Sequence, residues 1–311
     1  MKLLKSVIAL TLSALVHNSA IARESVDMRS LPILRADNSL HFVVPTKVNG
    51  KSTYVILDSG SGGNVTLSTE YAKSLNLKIT QSGSSKDIKG ETANYTAMIK
   101  EIAVANILKI RNSDTRLRDF SRLKSIKVKG KDNSIMGLVG SPFLDQVNAV
   151  FIAKGPKLLM PKSGTKPDGY ARALQGQGYE RLQLKKGKHK YPVVTVKIKG
   201  QDYDFLVDTG SAINILLKDV AKELKLPLKD STNTASGPSG GKIALKVTTV
   251  DKIILGNRAL LPNTEFYVLP QTGQKSVSDG KYGGIIGVNT LLRWNMQLDF
   301  GSYSLLMPAA K

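Results

Sequence analysis

The 311-residue sequence contains no cysteine and only three histidines. The absence of cysteine excludes disulfide bonds, thiolate nucleophiles and lipid attachment through a thiol, so burial alone must stabilise the fold. His17, His41 and His189 are far apart along the chain, which argues against a histidine metal site and against a Ser-His-Asp arrangement. We therefore expect no metal, and we interpret His41 and His189, which precede apparent strands, as surface side chains.

Long apolar runs are also scarce, and the main one lies at the start of the chain. The segment MKLLKSVIALTLSALVHNSAIA contains two lysines, an apolar stretch from Val7 to Val16 and a final Ala20-Ile21-Ala22. This is the pattern of a secretory signal peptide, and the stretch is shorter than the roughly 20 residues that span a bilayer. The sequence predicts a signal peptide over 1–22, with a membrane anchor as the alternative. The mature protein is then periplasmic or secreted, without stable membrane insertion.

Acidic residues are few compared with basic ones, 24 against 45, which gives a formal net charge of +21. For an exported protein this charge favours anionic envelope polymers or lipid head groups as partners over nucleic acid. The most basic segment, Arg111–Ser134, also lacks the interleaved aromatic residues that stacking on bases requires. We expect no nucleic-acid partner, and we interpret Arg111–Ser134 as a solvated loop or, alternatively, as a docking surface.

The chain repeats one long pattern. HFVVPTKVNGKSTYVILDSGSGGNVTLS aligns with YPVVTVKIKGQDYDFLVDTGSAINILLK at an offset of 150 residues, so that Asp58 matches Asp208. The ends of the two copies match at an offset of 147, which places Gly140 on Gly287. Each copy has alternating strand patterns, a turn, an apolar run, a Gly-rich loop and a short helix. A period this long indicates a duplicated domain and not a solenoid of short repeats.

This duplication divides the mature chain. We expect residues 23–162 to form an N-terminal lobe and residues 181–311 to form a C-terminal lobe. Residues 163–180 are rich in Gly, Pro and Lys and are expected to be the interlobe linker.

Each copy carries an Asp motif and a distant partner. The patterns LDSGS and VDTGS at Asp58 and Asp208 are followed about 80 residues later by LVG at Leu138–Gly140 and IIG at Ile285–Gly287. A single Asp-Ser/Thr-Gly is ordinary turn chemistry, but two copies with their partners are a strong signal. On these motifs the chain resembles the aspartic protease family, in its bacterial retropepsin-like branch, over most of residues 33–308.

The resemblance implies a fold and an activity. The implied fold is mainly all-β, with two homologous retropepsin/pepsin-like β-barrel lobes, short helices and an active-site cleft between the lobes. The implied activity is that of an aspartic endopeptidase, a hydrolase in which a dyad of Asp58 and Asp208 activates water to cleave peptide bonds. Such a dyad shares one proton and needs no metal or other cofactor. Because one chain carries both carboxylates, we expect a monomer.

The resemblance also assigns supporting roles to the loop residues Ser59, Gly60, Ser61, Thr209, Gly210 and Ser211. The two glycines let the backbone approach and present its N–H groups to a carboxylate. Ser59 and Thr209 are implied to bond across the lobe interface. Ser61 and Ser211 are implied to donate hydroxyl hydrogen bonds to the carboxylates, with local turn caps as the alternative.

Two further questions stay open in the sequence. Flap hairpins are expected near Ser82–Thr96 and Thr232–Leu245, although a Gly-rich surface loop is an equal interpretation of the second segment. The function alternatives to a protease are a catalytically inactive retropepsin-like binding protein for an anionic envelope polymer or protein partner, and a hydrolase of something other than a peptide.

Overall fold

The structure is a computed structural model that describes residues 26–87, 90–120, 123, 125–132, 134–237, 240–256, 258–269 and 282–309. The expected signal peptide at 1–22 lies outside these residues. In the described part of the chain, no helix is long and apolar enough to cross a membrane.

The first half of the chain contains strands and two short helices. In order these are β1 (Met28–Leu31), β2 (Leu34–Arg35), β3 (Phe42–Val48), β4 (Lys51–Asp58), β5 (Val65–Ser68), α1 (Thr69–Ser74), β6 (Ile79–Asp87), β7 (Gly90–Val104), β8 (Leu108–Arg118), β9 (Ile135–Gly140), α2 (Ser141–Gln146), β10 (Val150–Ile152) and β11 (Lys157–Pro161).

The second half repeats this order after one additional helix. Its elements are α3 (Gly169–Gln175), β12 (Tyr179–Gln183), β13 (Lys185–Lys186), β14 (Pro192–Ile198), β15 (Gln201–Asp208), β16 (Ile215–Leu216), α4 (Lys218–Glu223), β17 (Lys229–Gly237), β18 (Gly240–Leu255), β19 (Arg258–Val268), β20 (Gly284–Gly287), α5 (Val288–Arg293), β21 (Gln297–Asp299) and β22 (Ser304–Pro308). A 3₁₀ turn lies at Lys188–Lys190.

Each half forms a closed barrel. In the first half the strands follow the order β3-β4-β9-β5-β8-β7, and pairing between β3 and β7 closes the ring. In the second half the order is β14-β15-β20-β16-β19-β18, and pairing between β14 and β18 closes the ring in the same way. The predicted fold class, mainly β with two homologous barrel lobes and short helices, is confirmed.

Two parallel strand pairs place the motif residues at matching ends of the barrels. β4 runs parallel to β9 and pairs Asp58 with Gly140, while β15 runs parallel to β20 and pairs Asp208 with Gly287. The apolar residues before each Asp are buried, which is typical of strands covered on both faces. Each Asp stands where its buried strand ends and the Gly-rich loop begins.

A six-stranded sheet joins the two halves. Its order is β1-β11-β10-β21-β22-β12, and β10 pairs antiparallel with β21 across the halves. Phe151 and Leu298 face each other in this pairing and are almost fully buried. The two halves are therefore held together by backbone hydrogen bonds between strands and by a common core.

The segment expected to link the lobes contains structure of its own. Within 163–180, α3 buries Ala171 and Leu174 against Leu306 of β22, and β12 begins at Tyr179. This segment therefore packs on the shared sheet.

The interpretation of Arg111–Ser134 as a solvated loop is wrong. Its first eight residues belong to β8, which pairs with β7 and β5 inside the barrel. Farther along, Phe120, Leu123 and Val128 are buried in a second apolar cluster with Ile56 of β4. The pattern is hidden because the two buried residues of β8, a threonine and a leucine, alternate with exposed charged ones.

Candidate active site

The barrels bring Asp58 and Asp208 together from positions 150 residues apart in the sequence. Their carboxyl groups lie side by side, since a single N–H, that of Gly60, donates to an oxygen of each. Both side chains are half-buried, whereas the neighbouring Ser59 and Thr209 are fully buried. The pair is therefore enclosed by protein on most sides and still reachable from solvent.

The loop glycines pack directly against the carboxylate of the opposite lobe. The N–H of Gly60 donates to Oδ1 of Asp58 at 2.9 Å and to Oδ1 of Asp208 at 3.1 Å. The N–H of Gly210 donates to Oδ1 of Asp208 at 2.8 Å. A Cβ atom on Gly60 would lie 2.6 Å from Cγ of Asp208, and one on Gly210 would lie 2.5 Å from Cγ of Asp58. Only glycine allows this close approach.

Ser59 and Thr209 form a reciprocal set of hydrogen bonds between the lobes. The backbone N–H of Ser59 donates to Oγ1 of Thr209, and the backbone N–H of Thr209 donates to Oγ of Ser59, both at 2.9 Å. The hydroxyl of Ser59 donates to the carbonyl of Val207 at 2.7 Å, and that of Thr209 to the carbonyl of Leu57 at 2.8 Å. Four buried bonds thus fix the two Asp loops relative to each other.

Ser61 and Ser211 close the two Asp turns through their backbone. The N–H of Ser61 donates to the backbone carbonyl oxygen of Asp58 at 3.0 Å, and the N–H of Ser211 donates to that of Asp208 at 3.3 Å. The hydroxyl of Ser211 donates instead to the carbonyl of Ile213 at 2.8 Å. For Ser211 the structure shows the local turn bond that was the alternative, because the side chain faces its own loop.

The surroundings of the dyad favour retention of a proton. Burial raises the pKa of Asp58 well above its ordinary value, and the adjacent Asp208 carboxyl raises it further. Burial also raises the pKa of Asp208, while the N–H groups of Gly210, Gly60 and Ser211 oppose this effect. Two carboxylates in contact cannot both be charged easily, so the pair holds one proton into a pH range where isolated Asp side chains have lost theirs.

Other polar side chains support the loops, and the sequence interpretation missed them. The hydroxyl of Ser141, directly after the LVG motif, donates to the carbonyl of Ser59 at 2.6 Å. In the second lobe, Oδ1 of Asn214 accepts from the N–H of Gly287 at 3.0 Å and from the hydroxyl of Thr290 at 2.8 Å. The sequence feature that could have indicated Ser141 is its position directly after the last glycine of the LVG motif.

The two histidines have different positions. His189 is exposed, as we interpret it from the sequence, and its ring lies edge-on to Tyr191. The interpretation of His41 as a surface side chain is wrong, because it is half-buried and its Nε2 lies 3.1 Å from the carbonyl oxygen of Gly210. The sequence could not indicate this contact, since the two residues belong to different lobes.

Both expected flap segments fall on long hairpins. Residues 82–96 lie in the β6–β7 hairpin and residues 232–245 in the β17–β18 hairpin. Residues 88–89 and 238–239 lie outside the described residues. Each lobe therefore supplies a hairpin in the region where a flap is expected.

A family model and solved structures match the chain. A search of curated protein sequences found no match to the chain. Among solved structures, the chain is similar to a retropepsin-like aspartic protease from Rickettsia conorii, with 16% identity over 42% of this chain and 90% of that chain and a TM-score of 0.31. The family model described as aspartyl protease matches residues 44–143 and 194–290, and each match contains one Asp motif with its apolar-apolar-Gly strand. Because these matches cover more than half of the sequence, the chain belongs to the aspartyl protease family.

Proposed function

We propose that this protein is an aspartic endopeptidase that hydrolyses peptide bonds with water activated by Asp58 and Asp208. The observation that supports this most directly is the placement of two half-buried carboxyl groups side by side, each packed against the glycine of the opposite loop. Membership of the aspartyl protease family supports the same conclusion.

The dyad begins the reaction with one shared proton. The charged carboxylate takes a proton from the water as its oxygen attacks the peptide carbonyl carbon, and the protonated carboxyl gives its proton to the carbonyl oxygen. The resulting diol then collapses. The carboxyl that gained the water proton passes it to the leaving nitrogen, the other carboxylate accepts a proton from one diol hydroxyl, and the C–N bond breaks. The dyad ends with one proton again.

The loop contacts suit this exchange, because they hold both carboxyl groups in place while the proton moves from one group to the other. The N–H of Gly60 bonds to both carboxyl groups, so it stays engaged whichever of them carries the charge. The reciprocal bonds of Ser59 and Thr209 fix the distance between the loops. Groups held in advance need no rearrangement during the reaction.

We also propose where and in what form the enzyme acts. The expected signal at 1–22 supports action in the bacterial envelope, either in the periplasm or after secretion. Since both carboxylates come from one chain, the active species is a monomer with a protein or peptide substrate. The alternative, a catalytically inactive protein that binds an anionic envelope polymer or a protein partner, draws its support from the net charge of +21.

The test compares the mature chain with Asp58→Asn, Asp208→Asn and the double variant on a peptide library between about pH 3 and pH 8. Each single variant should lose nearly as much activity as the double variant, because residues that act as a unit are not additive. Asp202→Asn is the matched control, since Asp202 is exposed and forms a surface ion pair with Lys197 at 3.6 Å. This control should keep the parent's activity.

Two outcomes would contradict the proposal. Retention of about half the activity in a folded single variant would indicate two independent sites. A parent that cleaves no peptide but binds polyanions in a salt-sensitive way, unchanged by the double substitution, would favour the binding protein. In the same assay, activity per molecule should stay constant on dilution, and a loss that follows a dissociation curve would exclude an active monomer.

A further inference from the structure

His41 connects the first lobe to the loop that carries Asp208. Its Nε2 lies 3.1 Å from the carbonyl oxygen of Gly210, and its Nδ1 lies 3.0 Å from the hydroxyl oxygen of Ser39. His41 precedes β3 in the first barrel, whereas Gly210 follows β15 in the second. The imidazole therefore bridges the lobes at a residue two positions beyond Asp208.

The partners of the ring define its tautomer. A carbonyl oxygen can only accept a hydrogen bond, so Nε2 carries the proton and donates to Gly210. In the neutral ring, Nδ1 then accepts from the hydroxyl of Ser39, whose oxygen in turn accepts from the backbone N–H of His41 at 3.3 Å. Burial lowers the pKa of His41, which favours this neutral form. Both ring nitrogens are thus engaged, and the orientation of the ring is fixed.

The carbonyl of Gly210 belongs to the same peptide group as the N–H of Ser211. That N–H donates to the backbone carbonyl oxygen of Asp208 at 3.3 Å and closes the Asp208 turn, in which the N–H of Gly210 donates to Oδ1 of Asp208 at 2.8 Å. A peptide group is planar, so fixing the direction of its carbonyl also fixes the direction of its N–H. A hydrogen bond accepted by the carbonyl also polarises the group and makes the N–H a stronger donor. The contact of His41 is in this way transmitted to Asp208.

We propose that His41 is a positioning residue for the dyad, which holds the Gly210–Ser211 peptide and with it the turn in which the N–H of Gly210 donates to the carboxyl of Asp208. This inference rests on the proposed function of the same site. The position that matches His41 in the second lobe is Tyr191. Its hydroxyl lies 2.6 Å from where a Cβ atom on Gly62 would stand, two residues beyond the matching glycine.

The test compares His41→Leu with His41→Gln. Leucine removes the donor to Gly210, whereas glutamine keeps an N–H donor near the position of Nε2 and cannot ionise. We expect the Leu variant to lose about tenfold in kcat with little change in KM, the effect of one hydrogen bond coupled to a charge. The dyad loses its two protons in two steps, which ¹³C NMR of the Asp carboxyl carbons measures. We expect the step at lower pH to move to higher pH in the Leu variant. The Gln variant should restore both towards the parent.

The controls separate positioning from packing. A folded Leu variant with the parent's kcat and dyad titration would overturn the proposal. Equal losses in the Leu and Gln variants, with equal decreases in melting temperature, would also overturn it, because they would indicate packing alone. If the Leu variant does not fold, Ser39→Ala replaces it, since loss of the hydroxyl frees Nδ1 and lets the ring change tautomer. An upward shift of the dyad titration that is smaller than the shift expected for the Leu variant then supports the proposal. An unchanged titration contradicts it.

The NMR titration needs no substrate, so it also separates this inference from the proposed function. A parent that cleaves no peptide, with a dyad titration that shifts in the Leu variant and recovers in the Gln variant, would reject the peptidase. The same result would support the role of His41 in positioning the carboxyl pair.

Discussion

Replacing Gly60 with alanine tests how closely the two lobes pack at the dyad. The added Cβ would lie 2.6 Å from Cγ and Oδ2 of Asp208 and 2.8 Å from its Oδ1. Ordinary contacts of a Cβ atom begin at 3.4 Å, so the two groups must separate by about 0.8 Å. Asp208 cannot simply rotate away, because its Oδ1 accepts hydrogen bonds from the N–H groups of Gly60 and Gly210.

This displacement should reduce catalysis more than stability. A misplacement of about 1 Å between reacting groups lowers the rate by about 100-fold, and we expect a loss of that size in kcat/KM. Overpacking of a buried position costs about 1–3 kcal/mol of unfolding free energy, which leaves a protein of this size folded at 25 °C. Because alanine adds one methyl group and removes no polar group, the loss of activity reports the geometry of the carboxyl pair.

The assay is steady-state peptide cleavage at 25 °C, with circular dichroism to establish that each variant is folded. Gly169→Ala is the matched control, since a Cβ there would meet its nearest neighbours, on Thr165 and Val26, at 3.7 and 3.8 Å. This control should keep the parent's activity and gain up to about 1 kcal/mol of stability, because alanine restricts the unfolded chain. A folded Gly60→Ala variant with kcat/KM within about threefold of the parent would refute the packing argument.

Two stability predictions concern the same site. Because the pKa of Asp58 is raised in the folded state, stability falls as pH rises from about 4 through the raised value, at about 1.4 kcal/mol per pH unit for one proton. Asp58→Asn should thus be more stable than the parent at pH 7 and equal to it near pH 3 in urea unfolding, and a variant less stable at pH 7 would contradict this reasoning. Thr209→Val should cost about 2–5 kcal/mol, because it leaves the buried carbonyl of Leu57 and N–H of Ser59 without the hydroxyl partner. Thr46→Val, which removes one bond to Val44 in its own strand, is the control, and an equal cost in both variants would show that the interlobe bonds are no stronger than a local one.

The duplication could be predicted from the sequence because the repeat preserves its register, whereas the barrel form of each lobe was implied by the family resemblance. The apolar run of each copy ends at an Asp, and the distant apolar-apolar-Gly run supplies the parallel neighbour of that strand. A buried strand needs a buried partner, so two such runs in each copy already indicate a pair at the core of each lobe. The positions of Asp58 and Asp208 at matching strand ends follow from this pairing.

The contacts that support the dyad could not be predicted in the same way. The bond between His41 and Gly210 joins residues 169 positions apart, and the bond between Ser141 and Ser59 joins residues 82 apart. Periodicity reports which face of a strand is buried, but it carries no information about side chains that meet across an interface. The error at Arg111–Ser134 has another origin, since charged residues on the outer face of β8 concealed its alternation.

The two Asp loops differ in their hydrogen bonds, and this difference affects which carboxyl group keeps the single shared proton. A fully symmetric pair would give both carboxyl groups the same affinity for the proton. Here the N–H groups of Gly60 and Gly210 both donate to Oδ1 of Asp208, whereas Oδ1 of Asp58 accepts from Gly60. Hydrogen bonds to the charged form of a carboxyl favour that form. The structure therefore favours charge on Asp208 and the proton on Asp58, and in the proposed mechanism equivalent residues of the duplicated lobes would then act as base and acid.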